Sequence, residues 1–315
     1  MPSRSARVRA LAKINLDLRV LGLRPDGYHD LRTVFQTISL ADTLDLEFTP
    51  ARRTSISVSC NIEIPGDNLV ERAAKLALDA MRVSGRVEMR LTKRIPMGAG
   101  LGGGSSDAAA VLLALPVLAG RVLKPRAVAE LAGGLGSDVP FFLLGGTALG
   151  LGTGTELYPL PERPPAAGLV IAPAIHVSTA GAYRDLDAAR RLTSEPLQNI
   201  ISSFQSFVWE QGQASSERGV NDFERVVFAS HPRLKSLRRQ LERLGANPAL
   251  LTGSGSAVFG VFSDRKDAGR AGQFFRKERV FPIRFVTRNA YRAQWWRGLG
   301  AHIAGRVWPP QSRYA

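Results

Sequence analysis

Residues 96–115 read PMGAGLGGGSSDAAAVLLAL: five glycines within seven positions, two serines and an aspartate, then an uninterrupted Ala/Val/Leu run. Such a string suits a tight turn, a dinucleotide-binding loop, or a cradle for nucleotide phosphates. Glycines in series let the backbone reach positive φ and approach a ligand without Cβ interference. Successive N–H groups can then converge on an anion. Ser105, Ser106 and Asp107 open the helical pattern that follows, and a helix start offers unpaired N–H groups and partial positive charge to phosphate. The two serines can cap that helix, bind phosphate or reach a magnesium ion. Pro116 is expected to end it.

Gly98, Gly100 and Gly103 satisfy G-x-G-x-x-G as letters. A dinucleotide fold also needs an acid about 20 positions on, at the end of the next strand. The corresponding stretch, LAGRVLKP (118–125), holds none and leads into a helical pattern. No G-x-x-x-x-G-K-[ST] occurs, and the protein-kinase signatures are missing. Phosphate binding on another fold is the reading left. A plain turn with a serine cap is its structural alternative.

The 315 residues, 44% apolar and 22% charged, suit a globular chain of two domains. No apolar run is long enough to span a bilayer and no secretory h-region opens the chain, so a cytoplasmic protein without membrane contact is expected. A single cysteine, Cys60, makes neither an internal disulfide nor a zinc site. The net charge of +15 comes from 35 arginines and 7 lysines, scattered without an aromatic-interleaved stripe. Compositional habit of the source and attraction for phosphorylated substrates are both open readings of that charge, and no nucleic-acid partner is expected. No feature sets an oligomeric state.

Strand patterns cover 6–20, 33–48 and 54–64. Asn68 opens a helix with Leu69, Ala73, Leu76, Ala77 and Ala80 on one face. A strand at 85–96 feeds the glycine stretch, and a helix follows at 124–136. The proline-rich PLPERPP (159–165) marks a boundary between units 1–160 and 161–315. Beyond it come a strand at 167–179, a mostly helical 180–250, strand–Gly turn–strand at 249–263, a helix at 266–278 and a strand at 281–289. The aromatic tail from Tyr291 has no period and stays unassigned. Strands and helices in mixed order imply two α+β domains.

PMGAGLGGGSSDAA closely resembles the second motif of the GHMP kinases. AKINLDLRVLGLRPDGYHDLRTVF (12–35), GSDVPFFLLGGTALGLGTG (136–154), NDFE (221–224) and LLTGSGSAVFGVF (250–262) resemble further segments of that family in the right order. The resemblance implies a two-domain α+β GHMP kinase fold, with a ribosomal-S5-like N-terminal domain, a ferredoxin-like C-terminal domain and the active site between them. The longer forms of these motifs look like the branch that phosphorylates the 2-hydroxyl of 4-diphosphocytidyl-2-C-methyl-D-erythritol with ATP, on the non-mevalonate route to isoprenoid precursors. A homoserine- or mevalonate-type kinase is the alternative within the superfamily. A basic nucleic-acid-binding protein on a kinase-like fold is the alternative from another class.

By that resemblance, Pro96, Met97, Gly98, Ala99, Gly100, Leu101, Gly102, Gly103, Gly104, Ser105 and Ser106 bind ATP. Asp138 is the base, and its place before an apolar run would partly desolvate it. Without the family, Asp138 reads equally as a turn or helix-cap residue. Lys13 partners Asp138 and stabilises developing oxyanion charge. Asn15, on the same strand face, hydrogen-bonds substrate. Tyr28 stacks on the cytosine, His29 bonds its edge, and Tyr183 is the aromatic on its other side. Thr179 lines the site, and Gly253, Ser254 and Gly255 form a turn closing over phosphates or substrate, with a plain hairpin turn as the structural reading. Magnesium arrives with ATP, and Ser106 is the candidate protein ligand.

Overall fold

The computed structural model describes residues 2–64, 66–190 and 219–315. Two long strands, β1 (Arg4–Leu23) and β2 (His29–Pro50), turn back on each other at Gly27, where φ is 82°. The pattern of β1 alternates from Ala12 to Leu18, yet every residue from Ala10 to Leu18 is buried. Ala12, Ile14 and Leu16 fill a core between two sheets, while Lys13, Asn15 and Asp17 form a buried polar row.

The spine of the first sheet is β2. Its whole length pairs with β1; on its other edge the later half pairs with β4 (Gly85–Thr92) and the earlier half with β5 (Thr147–Gly152). Beyond these lie β3 (Ser55–Cys60), parallel to β4, and β6 (Glu156–Pro159), antiparallel to β5. The crossover from β3 to β4 is α1 (Leu69–Met81), started by Asn68, whose side chain accepts from the Val70 N–H at 3.0 Å. Its buried stripe is Val70, Ala73, Ala74, Ala77, Leu78 and Met81. The expected face is therefore displaced by one position. Leu69 turns instead toward a cavity beside the glycine loop.

Helix α2 (Gly103–Ala119) runs through Pro116, contrary to expectation, and stops at Gly120 with φ 71°. A proline in the last turn removes one N–H, whereas every residue from Ser106 to Leu118 gains burial. Two further helices, α3 (Pro125–Leu135) and α4 (Val139–Leu144), pack against it.

The second sheet is antiparallel throughout, in the order β10 (Arg279–Arg284), β7 (Ala167–Ala172), β9 (Val258–Phe262), β8 (Ala249–Leu251). With α5 (Thr179–Arg190), α6 (Glu224–Ser230), α7 (Pro232–Arg243) and α8 (Arg265–Gly272) it makes the ferredoxin-like half. Positions 191–218 of the stretch expected to be helical lie outside the described residues. Residues 160–166 join the two sheets, and Ile14, Val34 and Ile38 meet Val170, Phe259 and Phe285 between them. No helix among the described residues is long and apolar enough to cross a membrane.

After β10 the chain returns to the first unit. Thr287 caps α9 (Arg288–Gly298), which places Tyr291, Trp295 and then Leu299 in the first core. The tail that carries no period in the sequence is thus a structural part of the unit it was not assigned to. Trp295 is 1% exposed, so Trp295→Ala should cost about 3–5 kcal/mol in denaturant unfolding; a loss under about 1 kcal/mol would place the tail outside that core.

Candidate active site

Lys13 on β1 and Asp138 at the head of α4 meet, Nζ to Oδ2, at 3.3 Å on the wall of one cavity. The lysine side chain is 4% exposed and the carboxylate 33%, so the carboxylate faces the cavity and the ammonium behind it is fixed. The Lys13 ammonium also donates to Asn15 Oδ1 at 2.9 Å and lies 5.4 Å from the Phe35 ring centroid. Asp138 stands at the N-cap position of α4, but its side chain caps nothing. The helix-cap reading of this residue fails, and its carboxylate is left for the cleft.

The glycine loop has positive φ at Gly98, Gly100 and Gly102 (65°, 76° and 69°). Close packing accounts for two of these. A Cβ on Gly100 would come within 2.1 Å of the Thr252 carbonyl, and one on Gly102 within 2.8 Å of the Phe142 ring. Gly98 has no such neighbour and borders the cavities. Backbone bonds dock the loop on both halves: Lys13 N–H donates to the Leu101 carbonyl at 3.0 Å, and Ala257 N–H to the Ala99 carbonyl at 3.2 Å. Ala99 and Leu101 point into the core between the sheets.

Two cavities meet at this loop. One of about 340 Å³ is lined by residues 96–105 together with Asn68, Leu69, Lys93 and Asp107. The other, about 1030 Å³, is lined by Lys13, Asp138, Tyr28, His29, Tyr183 and the Gly253–Gly255 turn. Gly98, Gly100 and Ser105 border both. A phosphate chain lying across the loop would therefore reach from one cavity toward the Lys13–Asp138 pair in the other.

Ser106 does not fit the role expected of it. It is 2% exposed, borders neither cavity, and its hydroxyl donates to the Leu11 carbonyl at 2.7 Å. The side chain ties α2 to β1 instead of facing a metal or phosphate. The N-cap of α2 is Gly102, so neither serine caps the helix through its side chain. Among the described residues no three His, Cys, Asp or Glu side chains group as a metal site.

Asn15 lines the larger cavity, and the structure shows its amide also bound to protein partners. Its amide oxygen accepts from Lys13, from Gly253 N–H at 2.9 Å and from the Thr252 hydroxyl at 3.2 Å, while its amide nitrogen donates to Thr33 at 2.7 Å. Buried polar groups must find partners, and these bonds make Asn15 the tie between Lys13 and the third motif. In that motif Gly253 and Gly255 take φ of 57° and 100°, and Ser254 shares a 2.9 Å hydroxyl contact with Thr179 at the cavity wall. Asn221 of NDFE holds the turn from below, donating to the Leu251 and Gly253 carbonyls at 2.8 Å each.

On the far wall, His29 stacks on Tyr183 with centroids 4.5 Å apart, and its Nε2 lies 2.9 Å from Asp187. Phe223 meets Tyr183 edge-on at 4.8 Å. The two rings are in contact, and both border the same cavity as Tyr28. Tyr28, 63% exposed at the cavity mouth, is the aromatic left open for stacking.

Sequence reasoning missed a buried triad. Lys93 Nζ bridges Asp42 and Asp107, the latter at 2.7 Å, and Asp42 also accepts the Ile95 N–H at 2.8 Å. These bonds pin the strand end that launches the glycine loop to the helix that leaves it. Burial pushes the Asp107 carboxyl up to about 7 against the pull of Lys93. The signal in the sequence was Asp107 itself, an acid inside an otherwise apolar helix.

Glu224 supports the third motif by accepting the Leu251 N–H at 2.8 Å, and burial pushes its carboxyl up to about 7. A folded-state value above the ordinary 4.5 means that the folded chain holds the proton more tightly. Its stability contribution is therefore full below pH 4.5 and is lost as pH rises to about 7. Relative to Glu224→Gln, the unmodified chain should lose up to about 3 kcal/mol of unfolding free energy across that interval. Parallel pH profiles of the two proteins would contradict the assignment.

Comparison with known proteins agrees with this geometry. The GHMP kinases N terminal domain family matches residues 68–146 and the GHMP kinases C terminal family residues 210–279. A 4-diphosphocytidyl-2-C-methyl-D-erythritol kinase from Solibacter usitatus is 58% identical over 314 residues, 99% of this chain and 98% of its own. A crystal structure of a 4-(cytidine 5'-diphospho)-2C-methyl-D-erythritol kinase superposes with TM-score 0.75 at 36% identity, over 89% of this chain and 98% of that one. A homoserine kinase from Cytophaga hutchinsonii, at 17% identity and TM-score 0.69 over 90% and 95%, shares the fold. The fold, the motifs in order and this identity over nearly the whole length agree: the chain belongs to the 4-diphosphocytidyl-2-C-methyl-D-erythritol kinase family of GHMP kinases.

Proposed function

We propose that the chain transfers the terminal phosphoryl group of ATP to the 2-hydroxyl of 4-diphosphocytidyl-2-C-methyl-D-erythritol. The Lys13–Asp138 pair carries this reading, because it lines the larger cavity, whose wall shares Gly98, Gly100 and Ser105 with the glycine-loop cavity. Phosphoryl transfer needs positioned phosphates, charge neutralisation and a base for the attacking hydroxyl. Asp138 accepts the hydroxyl proton, and the new O–P bond forms as the bond to the ADP oxygen breaks. Lys13 holds the carboxylate in place and neutralises negative charge developing on the attacking hydroxyl oxygen. Backbone N–H groups of the glycine loop receive the ATP phosphates. Magnesium carried by ATP would supply further charge neutralisation at those phosphates.

The cytidyl end of the substrate lies on the wall built by Tyr28, His29 and Asp187, with Tyr28 stacking on the base. A diphosphate substrate and a single cysteine accord with a cytoplasmic setting. The scattered arginines attract such anionic small molecules, and their spacing gives nucleic acid no continuous stripe.

Asp138→Asn keeps the size and removes the base. Its kcat for the cytidyl substrate should fall roughly 10²–10⁴-fold with KM nearly unchanged. A kcat close to that of the unmodified chain would take Asp138 out of the role.

A further inference from the structure

The residues after β10 border neither cavity, yet they hold the two helices that carry the site. The glycine loop runs into the N-terminal end of α2, and α4 begins directly after Asp138. The last carbonyls of a helix have no partner inside it, and here side chains from the chain's ends supply them. At α4 the Tyr291 hydroxyl donates to the Phe142 carbonyl, and the Trp308 indole N–H donates to the Leu143 carbonyl at 2.9 Å. At α2 the Ser312 hydroxyl donates to the Val117 carbonyl at 2.8 Å, and the Arg4 guanidinium to the Leu118 carbonyl at 2.8 Å. Tyr291 also packs its ring on Gly145, where a Cβ would come within 2.4 Å.

A six-residue helix is too short to keep its shape alone. What fixes α4 is therefore what packs on it and what bonds its ends. At the front, Asp138 makes no cap bond, so the carboxylate takes its place from the helix behind it. At the back, two aromatic donors grip consecutive carbonyls, with ring centroids 6.0 Å apart. We propose that Tyr291 and Trp308 are positioning residues for Asp138, clamping α4 from its carbonyl end so that the carboxylate stays against Lys13. The inference rests on the reading of Asp138 as the base.

Tyr291→Phe and Trp308→Phe each remove one donor and keep an aromatic ring. In the pair of substitutions, hydrogen exchange across 138–146 should rise about 10-fold while α7 stays unchanged. The kcat should fall about 10-fold with KM for ATP and the cytidyl substrate within about twofold. Trp308→Phe alone, at the less buried site, should show the same pattern more weakly and serves if the pair lowers Tm too far. A lower Tm with kcat and local exchange unchanged would overturn the clamp and leave the tail a merely structural brace. If the unmodified chain turned over no cytidyl substrate, the proposed function would fail instead, and the exchange at 138–146 would still decide the clamp.

Discussion

Three polar side chains in a row on a buried strand constrain the rest of the molecule. Lys13, Asn15 and Asp17 are 3%, 1% and 5% exposed, and a buried charge without a partner is costly enough to unfold a domain. Each therefore draws another element to β1. Lys13 draws Asp138 at the head of α4, Asn15 draws the Gly253 turn, and Asp17 draws Arg32 at 3.1 Å and the Val220 N–H at 3.2 Å. The two sheets are joined by an apolar core, and two of these bonds, Gly253 N–H to Asn15 and Val220 N–H to Asp17, cross between the halves. The same bonds leave the Lys13 ammonium and the Asp138 carboxylate side by side at the cavity wall.

The glycine loop is read differently once its neighbours are known. Its letters suggest a backbone freed to approach phosphate, and Gly98 fits that account. Gly100 and Gly102 are required equally by the protein, because Thr252 and Phe142 occupy the space a Cβ would need. Phosphate cradle and domain contact are thus one piece of chain. A side chain at Gly100 would disturb the contact between the two halves, and one at Gly102 the packing of the loop on α4.

Much of the site was legible in the sequence because its chemistry is carried by residues in unbroken motifs. Lys13, His29, Asp138, Tyr183 and the Gly253–Gly255 turn all border one cavity. Less legible was what each side chain spends its hydrogen bonds on. Asn15 and Ser106 sit in the motifs but turn to protein partners, since period and spacing give a residue's face and not its contacts. Lys93, Asp42 and Asp107 lie in three separate segments and become a triad only through the pairing of β2 with β4 and the return of α2. The tail was opaque for a related reason. Tyr291 and Trp308 bond to α4, 149 and 165 residues earlier in the chain, and Trp295 joins the same core; no local period records those partners.

The central claim is that the Lys13–Asp138 cleft serves a cytidyl diphosphate alcohol. ADP release measured in parallel with 4-diphosphocytidyl-2-C-methyl-D-erythritol, mevalonate and homoserine tests it most directly. The account predicts turnover of the cytidyl substrate and none above background of the other two. Turnover of mevalonate or homoserine, with none of the cytidyl substrate, would contradict it.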